Sequence, residues 1–142
     1  MLTAHFLCEN NRPCGTASLR ASEDGSATDV TIDLRVPHLS PGPHGFHVHE
    51  SGSLHEGCAS MGAHYDPDSQ LHPFHVGDLG NVASDHEGRI QATLTVRAPL
   101  QDLAGRGLVL HRDADDLGMG GTDESLHTGT AGERVACASI VR

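Results

Sequence analysis

The chain has 142 residues and a formal net charge of −10, because its 19 acidic side chains outnumber its nine arginines. Hydrophobic residues make up 37% of the sequence and aromatic residues 3%, so any core must be mainly aliphatic. This length suits one core, and we expect residues 1–142 to form a single domain. The acidic balance and the few aromatic rings disfavour nucleic acids and anionic membranes as partners.

Alternating apolar and polar residues predict an all-β fold. The clearest run places Val30, Ile32 and Leu34 on one face of a strand, and helical periodicity is absent. Glycine and proline separate the runs, as is typical of an antiparallel sandwich or barrel. The predicted strands, about eight in number, span residues 3–9, 15–21, 28–36, 45–49, 81–84, 90–96, 107–112 and 134–141.

Two long stretches, 51–80 and 113–133, interrupt the regular spacing of the strands. Both are rich in Gly, His and Asp and poor in apolar residues. They therefore cannot fold by hydrophobic burial of their own. Disordered loops are one interpretation, but the polar residues are those of metal sites, and metal binding would order both stretches.

The 12 histidines are the strongest functional signal. His47 and His49 project from one face of a predicted strand, because strand side chains alternate. Such a pair, or any one of the other histidines alone, could be an incidental surface feature. Imidazoles and carboxylates together, without thiolates, favour zinc or copper and exclude a structural zinc finger. The further candidates are His64, His72, His75 and Asp78 within fifteen residues, then His111 and Asp115 after a later strand.

Five segments between Gly45 and Cys137 resemble the signature segments of the copper/zinc superoxide dismutases. The resemblance implies an eight-stranded Greek-key β-barrel, an immunoglobulin-like sandwich with two long functional loops. It also implies an enzyme that converts superoxide to oxygen and hydrogen peroxide through Cu(II)/Cu(I) cycling, with zinc in a structural role. The segments are GFHVHE, GCASMGAHYDP, HVGDLGNV, LVLHRDADDLGMGG and AGERVAC.

The resemblance further implies two metal sites that share one imidazole. His64 would bridge the two metals and deliver a proton to the product. Asp115 would link His47 to His72 and fix the orientation of both rings. The implied copper ligands are His47, His49, His64 and His111, and the implied zinc ligands are His64, His72, His75 and Asp78.

Arg134 and the four cysteines complete the expectations for the site. Arg134 matches the arginine that guides the anionic substrate, and Cys58 and Cys137 match the disulfide within the family's subunit. We expect Cys8 and Cys14, which flank a predicted hairpin turn, to be free thiols.

The zinc loop of this sequence departs from the family pattern, and the neighbours of Arg134 bear on how the protein matures. Only two residues separate His72 from His75, fewer than the family norm, so the zinc loop is short. Glu133 and Val135 flank Arg134, where some family members that depend strictly on a copper chaperone for disulfide formation carry prolines. We therefore expect maturation without that chaperone.

Residues 1–10 lack the basic and long apolar regions of a signal peptide, which predicts a cytoplasmic protein. The resemblance also implies a homodimer. The alternative function is a metal-binding barrel without turnover, such as a copper carrier or a structural module; the full set of copper-type histidines and Arg134 favours the enzyme. A zinc hydrolase with Glu50 as its base would need an open zinc position, and four filled positions argue against it.

Overall fold

The computed structural model describes all 142 residues and contains nine strands and two short helices. The chain begins with β1 (Leu2–Cys8), β2 (Arg12–Ala21), β3 (Thr28–Arg35), β4 (Gly42–His49) and β5 (His55–Cys58). It continues with β6 (Asp78–Ser84), β7 (Arg89–Val96), α1 (Leu100–Leu103), β8 (Gly107–His111), α2 (Ser125–Thr128) and β9 (Arg134–Val141).

Eight strands form one antiparallel sheet in the order β6-β4-β8-β9-β1-β2-β3-β7, and β5 lies outside it. The two edge strands, β6 and β7, are consecutive in the chain, so the turn between them draws the sheet into a nearly closed barrel. The Asp85 carboxylate fixes this turn by accepting hydrogen bonds from the backbone N–H groups of Glu87 (2.8 Å) and Arg89 (2.9 Å). The predicted eight-stranded, all-β Greek-key barrel is confirmed.

Strand periodicity builds the barrel core. Val30, Ile32 and Leu34 are buried, and their neighbours in β3 are exposed, as the alternation predicts. Phe6 and Phe46 are fully buried, with ring centroids 6.1 Å apart. Together with other inward residues they form one cluster of 23 buried side chains. This core holds β4 and β8, the strands that carry three of the candidate ligands.

The structure adds elements that the sequence pattern did not predict. Helices α1 and α2 have four residues each, too few to show a helical period. Strand β4 begins at Gly42, before the predicted start, because residues 42–44 pair with Ser84, Ala83 and Val82 of β6. Neither helix has the length and apolar character needed to cross a bilayer.

Cys58 and Cys137 form a disulfide that ties the first long loop to β9, with Cα atoms 5.7 Å apart. Cys137 faces away from the barrel core and packs with Met61 and Val109 in a small second cluster under the loop. The loop is thus attached to the barrel by a covalent bond and by a patch of apolar burial.

Cys8 and Cys14 are also disulfide-bonded, so the expectation of two free thiols is wrong. The turn at Glu9–Asn11 reverses the chain between β1 and β2 and brings the two Cα atoms to 5.9 Å. This separation lies within the usual range for a disulfide. No cysteine of the chain is free.

We expect the two disulfides to contribute unequally to stability. The Cys8–Cys14 bridge spans six residues and the Cys58–Cys137 bridge spans 79. Loop-closure entropy therefore predicts losses of about 2 and about 4 kcal/mol for the paired Cys→Ala variants. Urea unfolding of the two double variants measures the difference. Equal losses, or a larger loss for the Cys8–Cys14 pair, would contradict the entropic origin.

Candidate metal centre

Strand β4 supplies two of the candidate ligands and anchors them in the barrel. Phe46 and Val48 point into the core, while His47 and His49 point to the other face, where the two long loops cover and bury them. A β-bridge between His49 and His64 brings the first loop against β4.

A first cluster joins side chains from β4, β8 and the first loop. One nitrogen from each of its four rings lies within 4.8 Å of all the others. The His47 and His64 ring centroids are 4.0 Å apart, and those of His47 and His111 are 4.8 Å apart. The members are the predicted copper ligands His47, His49, His64 and His111, and all are buried.

Backbone carbonyls set the tautomers of two of these rings. His49 Nδ1 donates to Gly62 O at 2.8 Å, and His111 Nδ1 donates to Gly132 O at 3.0 Å. Since a neutral imidazole carries one N–H, each Nε2 keeps a free lone pair. Both Nε2 atoms are buried without a partner. Buried polar atoms are rarely left unpaired, and here both face the first cluster.

Asp115 joins the two halves of the centre. Its Oδ2 accepts from His47 Nε2 and its Oδ1 accepts from His72 Nε2, both at 2.7 Å. Asn81 holds the Asp115 backbone in return, accepting its N–H at 2.6 Å and donating to its C=O at 3.0 Å. A Cβ at Gly129 would collide with Asp115 Oδ1 and His72 Nε2. Sequence reasoning missed Asn81 and Gly129; an asparagine inside a strand, where this residue is rare, was the available signal.

A second cluster surrounds the Asp78 carboxylate. Asp78 Oδ1 accepts from His64 Nδ1 at 2.8 Å, and Oδ2 lies 3.0 Å from His72 Nδ1 and 2.9 Å from His75 Nδ1. The last two nitrogens are buried and are not aligned as hydrogen-bond donors to Asp78. The short loop therefore still turns His75 toward Asp78.

His47 also lies within 4.8 Å of His64, His72 and Asp78, whereas His75 is outside that limit. His47 nevertheless belongs to the first cluster, because Asp115 occupies its Nε2 and only Nδ1 is free. One nitrogen binds one ion, so His75 is the better fourth member of the second cluster.

Burial determines the charge of the first cluster. It lowers the pKa of His47 to about 3, of His49 to about 2 and of His111 to about 4, and neighbouring positive groups add to the effect. Hydrogen bonds to Asp115, Gly62 and Gly132 offset only part of this shift. The three rings are therefore neutral near neutral pH, with lone pairs available to a metal.

The second cluster has the opposite electrostatics. Burial alone would lower the pKa of His72, but the hydrogen bond to Asp115 and the neighbouring Asp78 carboxylate outweigh it and raise the pKa to about 9. Burial would raise the pKa of each carboxyl, yet the histidine partners hold both well below their usual range. In the metal-free chain a proton on His72 thus balances the carboxylates, and a divalent cation would displace it.

Arg134 stands beside the first cluster and is half-buried. Its guanidinium donates to Cys58 O at 2.9 Å and to Gly62 O at 2.6 Å. Burial lowers its pKa, but arginine still carries its charge at physiological pH. The disulfide-bonded loop therefore positions the one cation that faces these histidines.

A Greek-key barrel with two adjoining buried clusters, joined by one histidine and one carboxylate, has the architecture of a dinuclear metalloprotein. The family described as copper/zinc superoxide dismutase (SODC) matches residues 14–140. An "Extracellular superoxide dismutase [Cu-Zn]" of Drosophila melanogaster is 40% identical over 143 residues, which cover 93% of this chain and 77% of the relative. A "Superoxide dismutase [Cu-Zn]" of Paramecium bursaria Chlorella virus 1 is 40% identical over 137 residues, covering 87% and 71%.

The chain belongs to the copper/zinc superoxide dismutase family. It is an oxidoreductase that acts on superoxide with copper and zinc as cofactors, which confirms the predicted function over a metal-binding barrel without turnover. The predicted cytoplasmic localisation is wrong, because a relative that aligns over most of the chain is extracellular. The prediction failed because ten residues of sequence are a poor indicator of compartment, whereas four paired cysteines are typical of an oxidising one.

We expect the metal-free protein to lose stability as the pH falls below about 6.5, the pKa of an unfolded-state histidine. His47, His49 and His111 have lower pKa values when folded, so the unfolded chain binds protons that the folded chain excludes. Each of these three histidines should lower the free energy of unfolding by about 2 kcal/mol between about pH 7 and about pH 5. His72 acts in the opposite sense: its contribution is complete below about pH 6.5 and is lost as the pH rises toward about 9.

Urea midpoints of the chelated protein across this pH range measure the effect. His86, which is exposed in the β6–β7 turn, provides the control: His86→Ala should leave the profile unchanged. A flat profile between neutral and mildly acid pH would contradict the burial of neutral rings.

Proposed function

We propose that residues 1–142 act as one catalytic unit in which the first cluster holds copper and the second holds zinc. The observation that carries this proposal is a set of buried ring nitrogens without hydrogen-bond partners, all facing the two clusters. On this proposal copper is held by His47, His49, His64 and His111, and zinc by His64, His72, His75 and Asp78. The unpaired nitrogens are His47 Nδ1, His49 Nε2, His72 Nδ1, His75 Nδ1 and His111 Nε2.

The shared histidine is the proton carrier of the proposed reaction. When bound, copper supplies a one-electron redox couple and zinc supplies a fixed positive charge. His64 Nδ1 faces Asp78 at 2.8 Å, which leaves Nε2 toward the first cluster. At Nε2 the ring can hold a proton and give it to the peroxide product. Two superoxide ions and two protons thus give one oxygen and one hydrogen peroxide.

Arg134 attracts the substrate in this proposal. The net charge of −10 opposes an approaching anion at long range. At physiological salt, however, the Debye length is about 8 Å, so distant carboxylates are screened. The Arg134 guanidinium acts at close range, since two carbonyls of the first loop fix it beside the histidines.

Two variants separate the proposed roles of the clusters. His111→Ala removes a ligand from the first cluster only, so we expect loss of copper and of superoxide decay with zinc retained. Asp78→Ala removes the only anionic ligand of the second cluster, so we expect loss of zinc under chelator challenge. Elemental analysis and a superoxide-decay assay measure both outcomes, with His86→Ala as the exposed control. Full turnover by copper-loaded His111→Ala protein would refute the copper assignment.

We further propose that the protein is a homodimer. Val141 is exposed and lies on the same face of β9 as Ser139, since strand side chains alternate. Ser139 Oγ donates to Gly52 O, which brings exposed Leu54 to the same region of the surface. Light scattering of wild type and of a Leu54→Ser, Val141→Ser variant tests this face. A monomeric wild type would overturn the proposal.

We also propose that the protein matures without a copper chaperone, in an oxidising compartment outside the cytosol. Support comes from the non-proline neighbours of Arg134, from the two disulfides and from the extracellular relative. Expression in a host that lacks the chaperone should give oxidised, active enzyme. Reduced, inactive protein would contradict chaperone independence.

Fractionation of the native source tests the compartment, and full recovery in the cytosol would contradict secretion.

A further inference from the structure

The two loops that cover the metal centre carry most of the exposed apolar side chains. Eight large hydrophobic residues of the chain are exposed, and five of them lie in segments 66–80 and 113–130. Phe74 is 66% and Met119 is 78% exposed. The five residues, called the loop patch below, are Leu71, Phe74, Leu117, Met119 and Leu126.

Hydrogen bonds bring the first-loop members next to α2. The backbone N–H of Phe74 donates to Leu71 O at 2.7 Å, which closes a tight turn. The N–H of His72, inside this turn, donates to Leu126 O at 2.8 Å. Leu71, Phe74 and Leu126 therefore surround one short piece of backbone.

The remaining members reach the same backbone from the second loop. Gly118 lies between Leu117 and Met119 and packs closely on the turn. A Cβ at Gly118 would lie 2.8 Å from His72 O and 3.0 Å from Pro73 Cδ. The backbone of Leu117 and Met119 is thus held next to the same turn at residues 72 and 73.

The loop patch has a fixed shape. Buried Ser125 donates to Asp116 Oδ1 at 2.8 Å, and its hydroxyl accepts the Gly120 N–H at 2.9 Å. Thr130 donates to Asp116 Oδ2 at 2.8 Å. These bonds fix the backbone of the second loop. Exposed apolar residues held together on a fixed backbone are typical of a binding site.

Charge identifies the kind of partner. Segments 66–80 and 113–130 contain eight acidic residues, of which Asp78 and Asp115 belong to the metal centre, and Arg97 is the one arginine that lines the depression beside Phe74. Exposed Asp68, Asp123 and Glu124 lie in the same two segments as the loop patch. A second copy of this chain would bring the same charges together, and an anionic membrane would be repelled in the same way. A basic partner fits both the apolar centre and the acidic rim.

We propose that the loop patch docks a basic protein segment with an apolar face. Phe74 and Val76 line a shallow depression together with Asp68, Gln70 and Arg97, so an apolar side chain of the partner can pack on the two hydrophobic residues beside the Asp68 carboxylate. The partner's cations then face the acidic rim. The proposal rests on the loops as folded and does not depend on which metal either cluster holds.

Calorimetric titration of the metal-loaded enzyme with designed peptides tests this inference. One probe is an amphipathic peptide of about 18 residues, long enough to form a helix, with leucines on one face and lysines on the other. The matched probe carries glutamate in place of each lysine. We expect the lysine peptide to bind and to outcompete the glutamate peptide. Its affinity should fall in about 1 M salt, where the Debye length is about 3 Å.

Variants locate the site. The double variant Phe74→Ser, Met119→Ser should bind the lysine peptide about tenfold or more weakly, because apolar burial is lost. Leu54→Ser, Val141→Ser changes two exposed apolar residues of the proposed dimer face, outside the loop patch, and should leave peptide binding per subunit unchanged. Met119→Ser alone provides a second test if metal content falls in the double variant. Equal binding of both peptides, equal loss in both double variants, or patch-dependent self-association without peptide would overturn the proposal.

Discussion

One buried carboxylate organises the metal centre. Asp115 accepts hydrogen bonds from His47 on the barrel and from His72 on the first loop, and it is itself on the second loop. A buried carboxylate is costly unless its oxygens are bonded, and here both are, with Leu117 N–H as a further donor to Oδ1. The same bonds turn the opposite nitrogen of each ring toward the metal clusters. The attachment of both loops to the barrel and the orientation of two ligand rings therefore depend on the Asp115 side chain.

The two long loops are ordered without a hydrophobic core of their own. The first is held by the Cys58–Cys137 bridge and by Met61 in the small second cluster. The second is held by the hydrogen bonds of Asp116 to Ser125 and Thr130. The first loop thus combines a covalent bond with a small apolar contact, and the second depends on polar contacts. The loops can therefore present apolar side chains to the outside that a hydrophobically driven loop would bury.

Local patterns in the sequence determined which parts of the protein could be predicted. The alternation at Val30, Ile32 and Leu34 depends only on neighbouring residues, so the sequence predicts β3 almost to its ends. Motif resemblance singled out the residues that the structure brings together at the metal centre. The Cys8–Cys14 disulfide was missed because it depends on a Cα separation that the turn geometry creates. Asn81 was missed because its partner, Asp115, is distant in sequence.

The Gly62 carbonyl holds two functional side chains in place at once. It accepts from His49 Nδ1 and from Arg134 Nη2, so both of its lone pairs are used. Rotation of this single peptide plane would release a ring of the first cluster and the nearby cation at once. Three residues separate Gly62 from Cys58, which the disulfide fixes to β9. Loss of that anchor would therefore end activity abruptly, as one cooperative event, before the barrel itself begins to unfold.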